Sequence, residues 1–381
     1  MAKRSTRTRA IREATNIVGV DPHKRTLTAS VLDERGGVLG TQSFRVSGDG
    51  HRAMEAWATA FGPVLRWGIE GASGLGRHTS MFLIRNGHDV RDVCPSRTAA
   101  QSKNRHQGKT DKLDSVRAAR ETQTDPGIPV AFKRANGETG PDETLELLAL
   151  WHKARCSLVK SRQHLLGEAE ALLGALPEAI RDTLPDSATV RPRLRALLRQ
   201  DHAVDADRAT LLRLEMLAGH SAAITELDRK DRRIAGEMRA LNAQMGTTLT
   251  ELCGIAERMA AELLVEVGDP RRFAGEGGFA RFNGTAPIPT SSGEGDGEPR
   301  RYRLNRGGNR RVNVVLHRMA ITQLRCDERA RTIYDDARRG GHTKREAMRI
   351  LKRQLSNVVY RHMLRDINNR TRQTGQERDA A

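Results

Sequence analysis

The sequence predicts an α/β domain, then a long helical segment, then a mostly helical C-terminal domain. Three observations carry that expectation. Short β-prone runs alternate with helix-like runs over the first 125 residues. Two apolar stripes at near-heptad spacing fill the middle, and the last third is helical in pattern and strongly basic.

The runs Asn16–Asp21, Leu27–Asp33 and Val38–Val46 read as strands bounded by turn formers, and Gly36-Gly37 suits a hairpin between the second and third. His51–Phe61 reads as a helix, Val64–Glu70 as a fourth strand, Gly76–Asn86 as a helix and His88–Cys94 as a fifth strand. Within Asp111–Thr122, Leu113, Val116 and Ala119 recur at helical spacing. Three strands, then helix, strand, helix, strand and helix is the order of a ribonuclease-H-like (RuvC-like) domain, here over residues 16–125. The Lys/Arg-rich residues 1–15 read as a disordered basic arm, and residues 126–141, rich in Pro, Gly and charge, as a linker.

Residues 142–246 form the helical segment. One stripe runs through Leu145, Leu148, Trp151, Leu158, Leu165, Ala169 and Leu172, interrupted by Arg155 and Arg162. A second runs through Ile224, Leu227, Ile234, Met238, Leu241 and Met245, interrupted by Asp231. An antiparallel hairpin or a dimerising coiled coil accounts for both stripes, and so do two amphipathic helices packed on their own domain. The C-terminal domain spans 247–370. Its run Leu252–Ala261, around Gly254, looks like a helix-hairpin-helix, whose turn aims backbone N–H groups at a phosphate; Gly-Ile-Ala also occurs in ordinary interhelical turns. Residues 371–381 are polar and read as a disordered tail.

Lys and Arg number 65 against 47 Asp and Glu, a formal net charge of +18. Residues 301–370 alone hold 19 Lys/Arg against 6 Asp/Glu. Such a balance favours a polyanionic partner, above all nucleic acid. No run reaches the ~18 apolar residues of a spanning helix, and none reads as a signal-peptide core, so a cytoplasmic protein without a membrane partner is expected. Cys94, Cys156, Cys253 and Cys326 lie far apart, with neither zinc-ligand spacing nor a disulfide framework. Aromatic residues make up only 3%, which weighs against grip by base stacking.

Four carboxylates carry the sharpest chemical signal. Asp21 closes the first strand, Glu70 closes the fourth, and Asp111 and Asp114 share one helical face. Carboxylates so grouped can hold two Mg²⁺ (or Mn²⁺) ions, and two hard cations in a basic protein point to phosphodiester chemistry. Each residue alone has a plainer role: Asp111 as a helix N-cap, Asp21 as a strand end, Glu70 as a solvated side chain. Lys109, just before the pair, is a candidate nucleic-acid contact.

A second constellation is Thr290-Ser291-Ser292-Gly293, followed by Arg300, Arg301, Arg303 and Arg306. A serine hydroxyl attacks a phosphate only when activated, and arginines can hold the phosphate oxygens. A flexible acidic loop has the same composition. A third, Asn305 to Asn313, places Gly307-Gly308 before Arg310 and Arg311, a pattern for close backbone approach and phosphate contact.

The runs Val18–Lys24, Gly68–Gly71 and Lys109–Asp114 resemble the DEDD domain of the IS110 family of insertion-sequence transposases. Leu252–Gly268, Phe282–Pro287 and Arg306–Arg310 resemble that family's C-terminal transposase domain, so the likeness covers residues 15 to 370. It implies a RuvC-like fold joined by a coiled coil to a serine-bearing domain. It implies site-specific recombination, with the DEDD set at Asp21, Glu70, Asp111 and Asp114. The family's serine directly precedes a glycine, which favours Ser292 over Ser291 as nucleophile. The basic residue that often follows that glycine is replaced here by Glu294. The resemblance also implies double-stranded DNA partners (element ends and target) and a structured guide RNA. Because serine and carboxylates fall in different domains, a homo-oligomer, dimer or tetramer, is expected. Two rival readings are a metal-dependent junction nuclease with water as nucleophile, and a non-catalytic nucleic-acid-binding scaffold.

Overall fold

The computed structural model describes residues 15–94, 110–125, 127–135, 140–200, 207–289, 302–303, 305 and 307–379. The chain divides into two compact units, Met1–Asp142 with Val267–Phe282, and Glu143–Glu266 with Asn283–Ala381.

The first unit is built on strands β1 (Asn16–Pro22), β2 (Thr26–Leu32), β3 (Val38–Arg45), β4 (Val64–Glu70) and β5 (Val90–Val93), in the order β3-β2-β1-β4-β5. β1 to β3 form an antiparallel meander, and β4 and β5 add parallel strands on the other side of β1. β1 is therefore central and buried at every position, as its run Ile-Val-Gly-Val requires, whereas the edge strand β3 is mostly exposed. Helices α1 (Gly48–Thr59), α2 (Arg77–Arg85) and α3 (Asp111–Thr124) belong to the same unit. Val18, Val20, Leu27, Val31, Met54, Trp67, Ile69 and Leu83 make the core. This mixed sheet has the strand order of a ribonuclease-H-like domain.

Residues 126–141, read as a linker, are not one throughout. Ile128, Val130, Ala131 and Phe132 are buried, Val130 bridges Arg91, and Asp92 N donates to Pro129 O at 2.9 Å. Averaged composition hid a short apolar core segment between polar flanks. Val267–Phe282, expected within the C-terminal domain, belongs to this unit as well: Asp269 N donates to Lys133 O at 3.0 Å.

In the second unit, α4 (Glu143–Gly174) and α7 (Arg208–Gln244) lie antiparallel along each other. Short helices α5 (Glu178–Arg181) and α6 (Val190–Leu197) close one end, where Ala169, Leu173, Leu194, Leu197, Leu217 and Ile224 pack together. The charged interruptions of the two stripes meet: Arg155 Nε lies 3.1 Å from Asp231 Oδ1, and Arg162 Nη1 lies 3.0 Å from Asp228 Oδ1. Beyond follow α8 (Glu257–Val267) and, after α9 (Gly275–Asn283) of the first unit, the two-stranded pair β6 (Ile288–Pro289) and β7 (Tyr302–Arg303). Helices α10 (Arg310–Cys326), α11 (Glu328–Arg339) and α12 (Lys344–Asp379) end the chain. α12 thus runs through most of the stretch expected as a tail. Cys253 and Cys326, far apart in sequence, bring their free thiols within 2.6 Å. No helix among the described residues is long and apolar enough to cross a membrane.

Candidate metal centre and nucleic-acid interface

The register of the central strands sets the first two carboxylates. Val20 pairs with Ile69 in the parallel β1–β4 ladder, so Asp21 and Glu70 follow side by side at the same sheet edge. Asp21 is 7% exposed and Glu70 is half-buried.

Helix α3 brings the third. Its N-cap is Thr110, whose hydroxyl accepts from Leu113 N, so Asp111 is not the cap and its carboxylate is available elsewhere. Ser115 on the same helix bonds Ser30 of β2, Oγ to Oγ at 2.7 Å, which fixes its seat on the sheet. Asp114 is buried, and its Oδ1 accepts from Arg117 Nη1 at 2.7 Å.

His23 joins the set, which sequence reasoning did not include. Its Nε2 lies 3.0 Å from Asp111 Oδ1 and 3.7 Å from Asp21 Oδ2. The hydrogen bond to Asp111, helped by the Asp21 charge, raises its pKa above the ordinary histidine value, against a smaller lowering by burial. A protonated imidazole there is a cation between two carboxylates. Among the described residues, Asp21, His23 and Asp111 each place one ligand atom within 4.8 Å of the others, close enough to share a metal ion. Glu70 and Asp114 stand outside that group. Pro22 ends β1, and His23 N donates to Thr26 O at 2.8 Å in the turn that leads into β2.

On the second unit, Gly254 has φ +86°, and a Cβ there would press on the backbone of Met319, so an interhelical turn already requires this glycine. Between α7 and α8 stand only a 3₁₀ turn, Leu249–Glu251, and the Gly254 turn. Asn309 caps α10, accepting from Arg311 N and Val312 N. Arg310 is exposed, whereas Arg311 Nη1 is held 2.6 Å from Glu266 Oε1, which raises its pKa. Arg303 is placed only as part of β7. Lys109, Ser291, Ser292, Arg300, Arg301 and Arg306 lie outside the described residues.

Comparison with known proteins gives this geometry its class. A DEDD-type transposase family model, described as "Transposase", matches residues 18–176, the region of the sheet, α3 and α4. Residues 18–176 thus match a DEDD-type transposase domain, a type that implies a divalent metal. A second model, described as "Transposase IS116/IS110/IS902 family", matches residues 246–335. The two models and the two insertion-element relatives below support an IS110-family transposase. The chain is similar to the "Insertion element IS110 uncharacterized 43.6 kDa protein" of Streptomyces coelicolor, 35% identical over 142 residues, covering 34% of this chain and 33% of that one. It is also similar to the "Insertion element IS900 uncharacterized 42 kDa protein" of Mycobacterium paratuberculosis, 26% identical over 400 residues, covering 91% of this chain and 95% of that one. The chain thus matches a third of the first relative and nearly all of the second.

Proposed function

We propose that the chain is a DNA transposase, a site-specific recombinase that cuts and rejoins the ends of an insertion element. The observation that carries this reading is the Asp21–His23–Asp111 cluster, beside Glu70 at the C-terminal edge of the parallel pair in a ribonuclease-H-like sheet. Two carboxylates and an imidazole suit a divalent cation, and the carboxylates favour Mg²⁺ or Mn²⁺. Asp21, Glu70, Asp111 and Asp114 would hold it, with Arg117 orienting Asp114. When bound, such an ion polarises a phosphoryl oxygen and eases deprotonation of an attacking hydroxyl.

The chain's own nucleophile is a serine, Ser292 rather than Ser291. Its Oγ bonds to phosphorus as it loses its proton, and one phosphorus–oxygen bond to deoxyribose breaks, releasing a hydroxyl that takes up a proton. Attack by the partner strand's hydroxyl then frees the serine. Arg300, Arg301, Arg303 and Arg306 hold the phosphate oxygens, and Lys109, Arg310, Arg311 and the Gly254 turn contact the flanking backbone. The chain acts as a homo-oligomer, and a structured RNA guides target choice; the +18 charge supports the nucleic-acid partners.

The test is strand cleavage of a duplex carrying an element end, with and without Mg²⁺ or Mn²⁺. Wild type should cut only with the ion. Asp21→Asn and Glu70→Gln should lose cutting while keeping their circular dichroism and DNA binding. Wild-type rates from either variant would overturn the metal assignment.

A further inference from the structure

Two thiols that the proposed chemistry does not use meet on the surface of the second unit. Cys253 and Cys326 are both exposed, and their sulfurs lie 2.6 Å apart although 73 positions separate them along the chain. A disulfide bond is about 2.05 Å long, so closing one here needs a movement of roughly 0.5 Å.

The backbones of both residues are already held together. Cys253 lies in the turn between α7 and α8, and Cys326 is the last residue of α10. Gln323 Nε2 on α10 donates to Cys253 O at 2.9 Å. The next residue of the turn, Gly254, lies so close to α10 that a Cβ there would stand 3.1 Å from Met319 O. Met319, Gln323 and Cys326 follow one another at helical spacing, so the turn rests along one face of α10. Cys326 Sγ donates to Thr322 O at 3.3 Å, which leaves its sulfur as the acceptor for the Cys253 S–H.

Packing does not account for the pair, because both side chains face solvent, whereas a cysteine used for packing is buried. A metal ion does not fit it either. Two sulfurs on one tetrahedral zinc stand roughly 3.8 Å apart, given Zn–S bonds of about 2.3 Å. Among the described residues, no third histidine, cysteine or carboxylate lies close enough to complete a metal group with them.

We propose that Cys253 and Cys326 are a site of reversible oxidation by low-molecular-weight disulfides, and that the bond they form fastens the Gly254 turn to the end of α10. One cysteine, as its thiolate, attacks a sulfur of the small disulfide. That S–S bond breaks, one small thiolate leaves, and a mixed disulfide forms. The other cysteine sulfur then attacks the mixed disulfide, the protein S–S bond forms, and the second small thiolate leaves. The two protons lost by the cysteines go to the two small thiolates. The protein dithiol is thus oxidised by two electrons and the small disulfide is reduced to two thiols. In a reducing compartment the pair stays a dithiol. This site stands whether or not the chain is a transposase.

The probe is oxidised glutathione, added to the full chain, with the remaining thiols alkylated before digestion. Wild type should yield one linked peptide pair carrying Cys253 and Cys326, and dithiothreitol should abolish it. Oxidation should also raise the wild-type melting temperature by roughly 5 °C, because the bond closes a long loop in the unfolded chain. Cys253→Ser and Cys326→Ser should each carry glutathione on the remaining cysteine and show no such rise. Stable glutathione adducts on both cysteines of the wild type, or no reaction of either, would overturn the site. A linked pair with an unchanged melting temperature would overturn the fastening of the turn.

Discussion

Gly19 of β1 and Gly68 of β4 pair directly across the sheet, and helix α3 lies against both. A Cβ on Gly19 would overlap Ser115 O and Ala119 N, and one on Gly68 would overlap the Thr122 side chain. The two glycines form a trough that lets α3 approach the sheet backbone. That approach carries Asp111 to within reach of His23 and Asp21.

Filling the trough should therefore damage the fold and the metal centre together. Gly68→Ala is expected to destabilise the protein by roughly 1–3 kcal/mol through overpacking. It should also shrink the rise in melting temperature that Mn²⁺ gives the wild type. Urea unfolding and thermal melts with and without the ion check both effects. A Gly68→Ala protein as stable and as metal-responsive as wild type would show that α3 is not seated by this contact.

The serine reading predicts a covalent adduct. Cleaved DNA should migrate with protein after SDS and be released by protease. Ser292→Ala should lose the adduct and Ser291→Ala should keep it, since in-line attack needs one oxygen ~3 Å from phosphorus and neighbouring side chains rarely point alike. The reverse pattern moves the nucleophile to Ser291. Recombination by the double variant would replace the serine mechanism with water attack.

Asp231 is the hub of the α4–α7 pair. It is 6% exposed and also meets Arg258 Nη2 at 3.1 Å. Asp231→Ala leaves several arginines facing each other and should cost roughly 3 kcal/mol in urea unfolding. An unchanged midpoint would mean these ion pairs are screened by solvent.

Arg310 and Arg311 should separate cleanly. Arg310→Gln should lower duplex affinity and the salt slope by about 1 without a change in melting temperature. Arg311→Gln should lower the melting temperature as well, because Glu266, 9% exposed, loses its cation. Equal melting temperatures for the two variants would contradict the assigned pairing.

Lys352 of α12, 8% exposed and with its Nζ 2.8 Å from Asn313 Oδ1, has a pH signature. Burial, then Arg349, holds its folded pKa below the ordinary lysine value of 10.5, so between the two values the unfolded chain holds more protons than the folded one. Stability from this group therefore rises with pH through that window. Paired urea curves at about pH 7 and pH 10 should show wild type gaining on Lys352→Met at the higher pH. No relative gain would mean that the amine titrates alike folded and unfolded.

Much of this was legible in the residues. Local alternation and turn formers marked the five strands of the first sheet to within about two residues, because strand signals are local, and left the two-residue strands β6 and β7 unmarked. The carboxylates Asp21, Glu70, Asp111 and Asp114 stood out because they cap strands or share a helix face. The Ile128–Phe132 segment was missed because polar neighbours diluted its apolar pattern. His23 was missed because a lone histidine after a proline carries no period.

The sequence by itself determined the succession of strands and helices along the first 125 residues, the basic character and the DEDD spacing, since each depends on residue type and short-range periodicity. Tertiary structure alone decided that Gly19 and Gly68 meet under α3. It alone decided that Arg155 and Arg162 answer Asp231 and Asp228, and that Asn313 reaches Lys352. These are contacts between residues tens of positions apart. Chain geometry, not local propensity, chooses which distant groups share a volume, and so which charges are paired.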